Sequence, residues 1–112
     1  MTDEDEVVVT RNEDETRWEA HVGGVLAGFA AYRPGERVVV FTHTEVDPAF
    51  KGRGVGDALA RHALDEVAAE GTRRVRPACP FIRAWIDRHP DYAALVQGAT
   101  TAAAPAPDRP EP

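Results

Sequence analysis

The chain has 112 residues, 19 acidic against 13 basic, and a formal net charge of −6, which bounds it to one domain with one modest core. That charge argues against nonspecific nucleic-acid binding and favours a cationic partner. No apolar run approaches the roughly 20 residues of a membrane span, and the acidic opening, Met1 to Glu6, does not fit the basic start of a signal peptide.

Glu6 to Arg11 reads as a strand because Val7, Val8 and Val9 are β-branched. Asn12 to Glu15 is a polar turn, and Thr16 to Val22 alternates with Trp18, Ala20 and Val22 on one face. Gly23-Gly24 signals a hairpin, Val25 to Arg33 a third strand, Pro34-Gly35 a turn, and Glu36 to Val46 a fourth strand ended by Asp47-Pro48. Four strands joined by tight turns predict an antiparallel meander. The period then changes: from Gly54 to Glu70, Val55, Leu59, Ala63 and Val67 recur every four residues, an amphipathic helix stopped by Gly71. Thr72 to Pro77 is read as a strand parallel to the fourth, because strand–helix–strand order favours a right-handed crossover. Pro80 to His89 is a second helix with Phe81, Ile82, Trp85 and Ile86 as its buried stripe, and Asp91 to Val96 packs back. Residues 1–5 are expected to be a flexible acidic start, 6–97 the domain, and 98–112 a disordered Ala/Pro-rich tail. Trp18, Phe29, Phe41, Phe81 and Trp85 are assigned to the core.

The most informative stretch is Lys51-Gly52-Arg53-Gly54-Val55-Gly56, between the fourth strand and the first helix. A glycine-rich turn opening a helix leaves several N–H groups without intrahelical partners, at the positive end of the dipole. That is a ready pocket for a phosphate or pyrophosphate, with Lys51 and Arg53 adding charge. A P-loop requires Gly-Lys-Ser/Thr, whereas Gly56 is followed by Asp57. A dinucleotide fingerprint requires a third glycine where Leu59 stands, within an alternating βαβ domain.

An Arg/Gln-x-x-Gly-x-Gly/Ala turn between a strand and a helix resembles the coenzyme A pyrophosphate loop of the GNAT superfamily of N-acetyltransferases. Lys51 stands at the first position and keeps the charge. His43-Thr44-Glu45-Val46, then Pro48-x-Phe50-Lys51-Gly52-Arg53-Gly54, then Pro77-Ala78-Cys79-Pro80-Phe81-Ile82 is similar to the small single-domain N-acetyltransferase-like proteins of that superfamily. The resemblance spans about Glu6 to Val96. It implies an α/β (α+β) fold, a meander followed by helix, parallel strand and helix, and acetyl-coenzyme A-dependent transfer to a primary amine. It also implies Val46 and Lys51 to Gly56 as the coenzyme A site, with a backbone N–H near Glu45 or Val46 polarising the thioester carbonyl.

Glu45 and His43 share a strand face, and either suits a general base; solvated or structural roles are the alternatives. Cys79 precedes Pro80, a residue suited to the first helical position, so its thiol stands at an N-cap where free N–H groups favour thiolate. In the small N-acetyltransferase-like proteins the matching Cys is a suspected catalytic residue. General acid, nucleophile and small buried residue all remain open for it. Tyr92 as a late general acid and Ala58, Arg61 and His62 near an adenosine are further expectations, with packing the alternative for Tyr92. His21, His62 and His89 lack metal-ligand spacing with one another or with Cys79. One cysteine excludes an internal disulfide and fits a reducing, cytoplasmic setting. The chain starts directly on strands where larger superfamily members carry helices, implying an open acceptor side and an amine acceptor, with a protein and a small molecule both open. A monomer or weak homodimer is expected. A coenzyme A-binding sensor without turnover and an unrelated nucleotide-phosphate binder are the other readings.

Overall fold

A computed structural model describes residues 6–97; the expectations for 1–5 and 98–112 lie outside them. Strands β1 (Val7–Asn12), β2 (Arg17–Val22), β3 (Val25–Pro34) and β4 (Val38–Val46) form the antiparallel meander. Helix α1 (Val55–Glu70) crosses over to β5 (Arg74–Pro77), which pairs parallel with β4, and α2 (Pro80–Arg88) follows. The strand order is β1-β2-β3-β4-β5. Two short 3-10 turns, Pro48–Phe50 and Pro90–Leu95, complete the described chain. After the second, Val96 bridges to Val75, so the last segment packs back along the outer edge of β5.

Both helices cover one face of the sheet. Trp18, Ala20, Val22, Ala30, Val39, Phe41 and Val75 point inward against Val55, Leu59, Ala63, Leu64 and Val67 of α1 and Ile82, Trp85 and Ile86 of α2. The 2-residue period of β2 and the four-residue repeat of α1 are each met by burial on the expected side. Two aromatic assignments are corrected. Phe29 lies on the outer face, half-buried, because its neighbours Gly28 and Ala30 take the inward positions. Phe81 is 36 % exposed and sits against the start of α1 rather than in the stripe.

Register shifts matter more than strand count. Between β3 and β4 the pairing passes from Ala31↔His43 to Tyr32↔Phe41, leaving Thr42 as the extra residue. A bulge bends its strand and ends regular pairing. Here it falls where β5, paired only with Val38 to Phe41, stops running beside β4. The last β4–β5 tie is Cys79 N–H to the Phe41 carbonyl at 2.8 Å. Beyond it the chain turns into α2, and Thr42 to Val46 keep only β3 as a strand neighbour.

Candidate functional site

The open edge of β4 has a defined polarity. Asp47 N–H donates to the Ala27 carbonyl at 2.8 Å, which makes Ala27–Asp47 a hydrogen-bonded pair. In an antiparallel ladder such pairs alternate, so Phe29–Glu45 and Ala31–His43 also face each other. The backbone groups of Thr44 and Val46 therefore point away from β3, into the gap left by β5. Of the two positions expected to present an N–H there, Val46 does and Glu45 does not.

The turn beyond this edge starts with Asp47, whose Oδ1 accepts from Ala49 N–H and fixes the 3-10 turn. Phe50 and Lys51 carry the chain to Gly52 and Gly54, both left-handed at φ 84° and 78°, a conformation an L side chain takes only at a cost. Added Cβ atoms at either glycine would meet nothing within 4 Å. Gly54 is the N-cap of α1, and no side chain caps the helix. The first-turn N–H groups of this 16-residue helix thus open on a concave, glycine-lined surface, which fits an anionic pyrophosphate. Val55 is 2 % exposed and can offer only backbone. Gly56 has a different cause: a Cβ there would lie 2.7 Å from the Phe81 ring, so its smallness lets α2 pack on α1.

Sequence reasoning missed the other wall. A depression of about 310 Å³ brings Val46 and the turn together with Phe81, Trp85 and Arg88 of α2. Trp85 donates through Nε1 to Asp57 Oδ1 at 2.8 Å, and Arg61 lies over its ring at 5.3 Å. The carboxylate in the first turn of α1 is thereby tied sideways. Arg88 follows Trp85 by three residues, a spacing that puts both on one helix face; that was the available signal. Tyr92 packs edge-on to Trp85 at 4.9 Å and donates to Asp65 at 2.7 Å, which raises its phenol pKa. Of the residues expected near an adenosine, Arg61 stacks on Trp85, while His62 lies 3.6 Å from Glu66.

The residues expected to handle protons fall on two faces. His43 Nε2 and Glu45 Oε2 are 2.9 Å apart on the outer face. Cys79 is 2 % exposed on the inner side, where Thr44 Oγ1 lies 3.3 Å from its Sγ. Cys79 is the N-cap of α2, with Pro80 at the first helical position, but its side chain caps no N–H. Strand alternation sends Thr44 inward and its neighbours outward, so the sheet itself separates the pair from the thiol.

Comparison with known proteins bears on the family and the fold. The model of the GCN5-related N-acetyl-transferase family matches residues 17–95. Protein NATD1 of Bos taurus is 39 % identical over 56 residues, and that of Homo sapiens 38 %, each match covering 50 % of this chain and 49 % of the relative. The chain spans about half the length of those relatives. A ribosomal-protein-alanine N-acetyltransferase from Brucella melitensis biovar Abortus 2308 superposes with a TM-score of 0.51 at 20 % identity, over 82 % of this chain and 68 % of the other, a likeness of fold. With a family match running from β2 through the second 3-10 turn, on a sheet that opens at β4, the chain belongs to the GCN5-related N-acetyltransferase family.

Proposed function

We propose that this protein transfers an acetyl group from acetyl-coenzyme A to a primary amine. The observation that carries the reading is the parting of β4 and β5 at Thr42, beside an α1 N-terminus that no side chain caps. Bound acetyl-coenzyme A supplies a thioester-activated acetyl group. The first-turn N–H groups from Val55 to Asp57 hold the pyrophosphate, with Lys51, Arg53 and Arg88 adding positive charge. The outward backbone of Thr44 and Val46 binds the pantetheine arm, and an N–H there faces the carbonyl oxygen where negative charge develops. Glu45, oriented by His43, takes a proton from the amine. Cys79, held by Thr44 on the inner side, delivers a proton to the departing sulfur and is reprotonated by water that enters the gap as coenzyme A leaves. Aligning both reactants across the gap lowers the entropic part of the barrier.

A second reading, a coenzyme A-binding module without turnover, is favoured by one observation. Cys79 is buried and lies across the sheet from His43 and Glu45. Steady release of free thiol in the presence of an amine, absent when the amine is omitted, eliminates it. The primary test is calorimetric titration with acetyl-coenzyme A. One-site binding at micromolar concentration or tighter is expected, with no competition from ATP or NAD. No heat of binding at millimolar ligand overturns the transfer reading and the binding-module reading together.

A further inference from the structure

The outer face of the sheet carries a row of side chains beyond the proton-handling pair. Glu19, Phe29 and Glu45 are directly opposed across β2, β3 and β4, so the ring stands between two carboxylates. Cross-strand neighbours approach to about 5 Å at Cβ, close enough for their side chains to act together. No described helix covers this face, since α1 and α2 both bury their apolar residues on the other side.

The two halves of the row are filled differently. On the Glu19 side, the Arg17 guanidinium lies 4.7 Å from the Phe29 ring centroid and its Nε donates to Glu19 Oε2 at 2.8 Å. The Phe29 face thus already holds one cation of the chain's own, stacked and paired with a carboxylate. On the Glu45 side, His43 lies 6.1 Å from the same ring and engages Glu45 Oε2. Glu45 is 62 % exposed, and its Oε1 has no partner among the described residues. Ala31, opposed to both Arg17 and His43 in the adjacent row, leaves a notch between those two longer side chains.

We propose that Glu45, Phe29 and Ala31 form a subsite for an alkylammonium group, with the ammonium on Glu45 and the alkyl stem on Phe29 and in the Ala31 notch. Its purpose rests on the transfer reading, because it delivers an amine to the outer side of the β4 gap. An anionic group would meet Glu45 and Glu19 there, whereas an ammonium repeats at Glu45 the pairing Arg17 makes at Glu19. Lysine side chains and peptide N-termini both carry this chemistry.

The test is amide-resolved NMR titration of the ¹⁵N-labelled protein at low salt. The probes are Nα-acetyl-lysine methylamide, its norleucine counterpart without charge, and tri-alanine amide with a free α-amine. At least one amine should shift the amides of Phe29, Ala31, His43 and Glu45, and norleucine should not; the stronger of the two amines identifies the source. Phe29→Leu and Glu45→Gln should each weaken that binding fivefold or more while the spectrum stays dispersed. Absence of shifts at tens of millimolar amine, equal shifts from norleucine, or wild-type affinity in both variants overturns the subsite. Acetyl-coenzyme A titrated into the same sample separates the two ideas. Amine shifts without coenzyme A binding keep the subsite and remove the transfer reading, and coenzyme A binding without amine shifts does the reverse.

Discussion

Gly54 and Gly56 stand two residues apart in one motif and are glycine for different reasons. At Gly54 the backbone is left-handed, at φ 78°, and the space beside it is open; at Gly56 the Phe81 ring fills that space. A β-branched residue at Gly54 therefore tests strain as much as ligand contact, since a non-glycine residue in this region costs about 1–2 kcal/mol. Asn tolerates the left-handed region and separates the two effects. Gly54→Asn is expected to change the urea-derived stability by less than about 1 kcal/mol and to weaken acetyl-coenzyme A at least tenfold in calorimetry. Wild-type affinity in that variant would remove the turn from the binding site. Thr44 poses a similar question on the other side of the gap, because its hydroxyl is the contact that fixes the Cys79 thiol. Thr44→Val keeps the shape, loses one weak hydrogen bond, and should cost about 1 kcal/mol of stability or less. Cys79→Ala should lower steady-state turnover tenfold or more if the thiol supplies the proton, with Thr44→Val intermediate and Thr44→Ser close to wild type. Equal turnover in Cys79→Ala and wild type would assign Cys79 to the core alone.

Among the elements, β1 is the least secured, an edge strand paired only with β2. What ties it to α1, besides Val7 and Val9, is Arg11. Its side chain is 12 % exposed, and Nη1 reaches Glu66 at 3.0 Å and Glu70 at 2.9 Å. Nε donates to the Tyr32 hydroxyl at 3.1 Å, and the guanidinium lies 4.8 Å from the Trp18 ring. Burial opposes the charge, but the hydrogen bonds to Tyr32, Glu66 and Glu70 prevail and raise the Arg11 pKa. Arg11→Met keeps the stem and removes the cation, leaving two carboxylates adjacent. Charge-assisted hydrogen bonds of this kind contribute about 2 kcal/mol, so the urea midpoint should fall accordingly and hydrogen exchange should accelerate first in β1. A loss below about 0.5 kcal/mol would mean the cluster behaves as a solvated surface pair. This tie was invisible in the sequence, whereas β1 itself was readable from three consecutive valines. The meander, the crossover and the glycine turn were readable for the same reason: each is written in local period or turn chemistry. Phe29 was misassigned because aromatic identity was weighed above strand parity, and parity in β3 and β4 depends on bulges that no local pattern marks. The α2 wall and the separation of Cys79 from Glu45 likewise depend on how distant elements meet.

At the scale of the whole molecule, charge couples the fold to pH from both sides. The hydrogen bond from Arg17, with a further one from Asn12, holds the Glu19 carboxyl below its ordinary range. The hydrogen bond from Arg73, joined by one from Arg11, does the same for Glu70. A carboxyl whose folded pKa is depressed contributes stability that is present above its unfolded value, about 4.3 for Glu. That stability is lost as pH falls through the lower folded value. Tyr92 works in the opposite direction. Its hydrogen bond to Asp65 raises the phenol above the ordinary 10.0, so its contribution is complete below the unfolded value and is lost as pH rises through the folded one. The three groups stand in different places, Glu19 on β2, Glu70 at the end of α1 and Tyr92 beyond α2, and their effects should be close to additive. Through these groups, urea midpoints are expected to decline below about pH 5 and above about pH 9. The Glu19→Gln/Glu70→Gln pair should begin from a lower plateau and lose less on acidification, and Tyr92→Phe should lose less on the alkaline side alone. An acid limb as steep in the double variant as in the wild type would place acid sensitivity in other carboxylates. An alkaline limb unchanged by Tyr92→Phe would mean that the Tyr92–Asp65 bond does not hold the second 3-10 turn to α1 in solution.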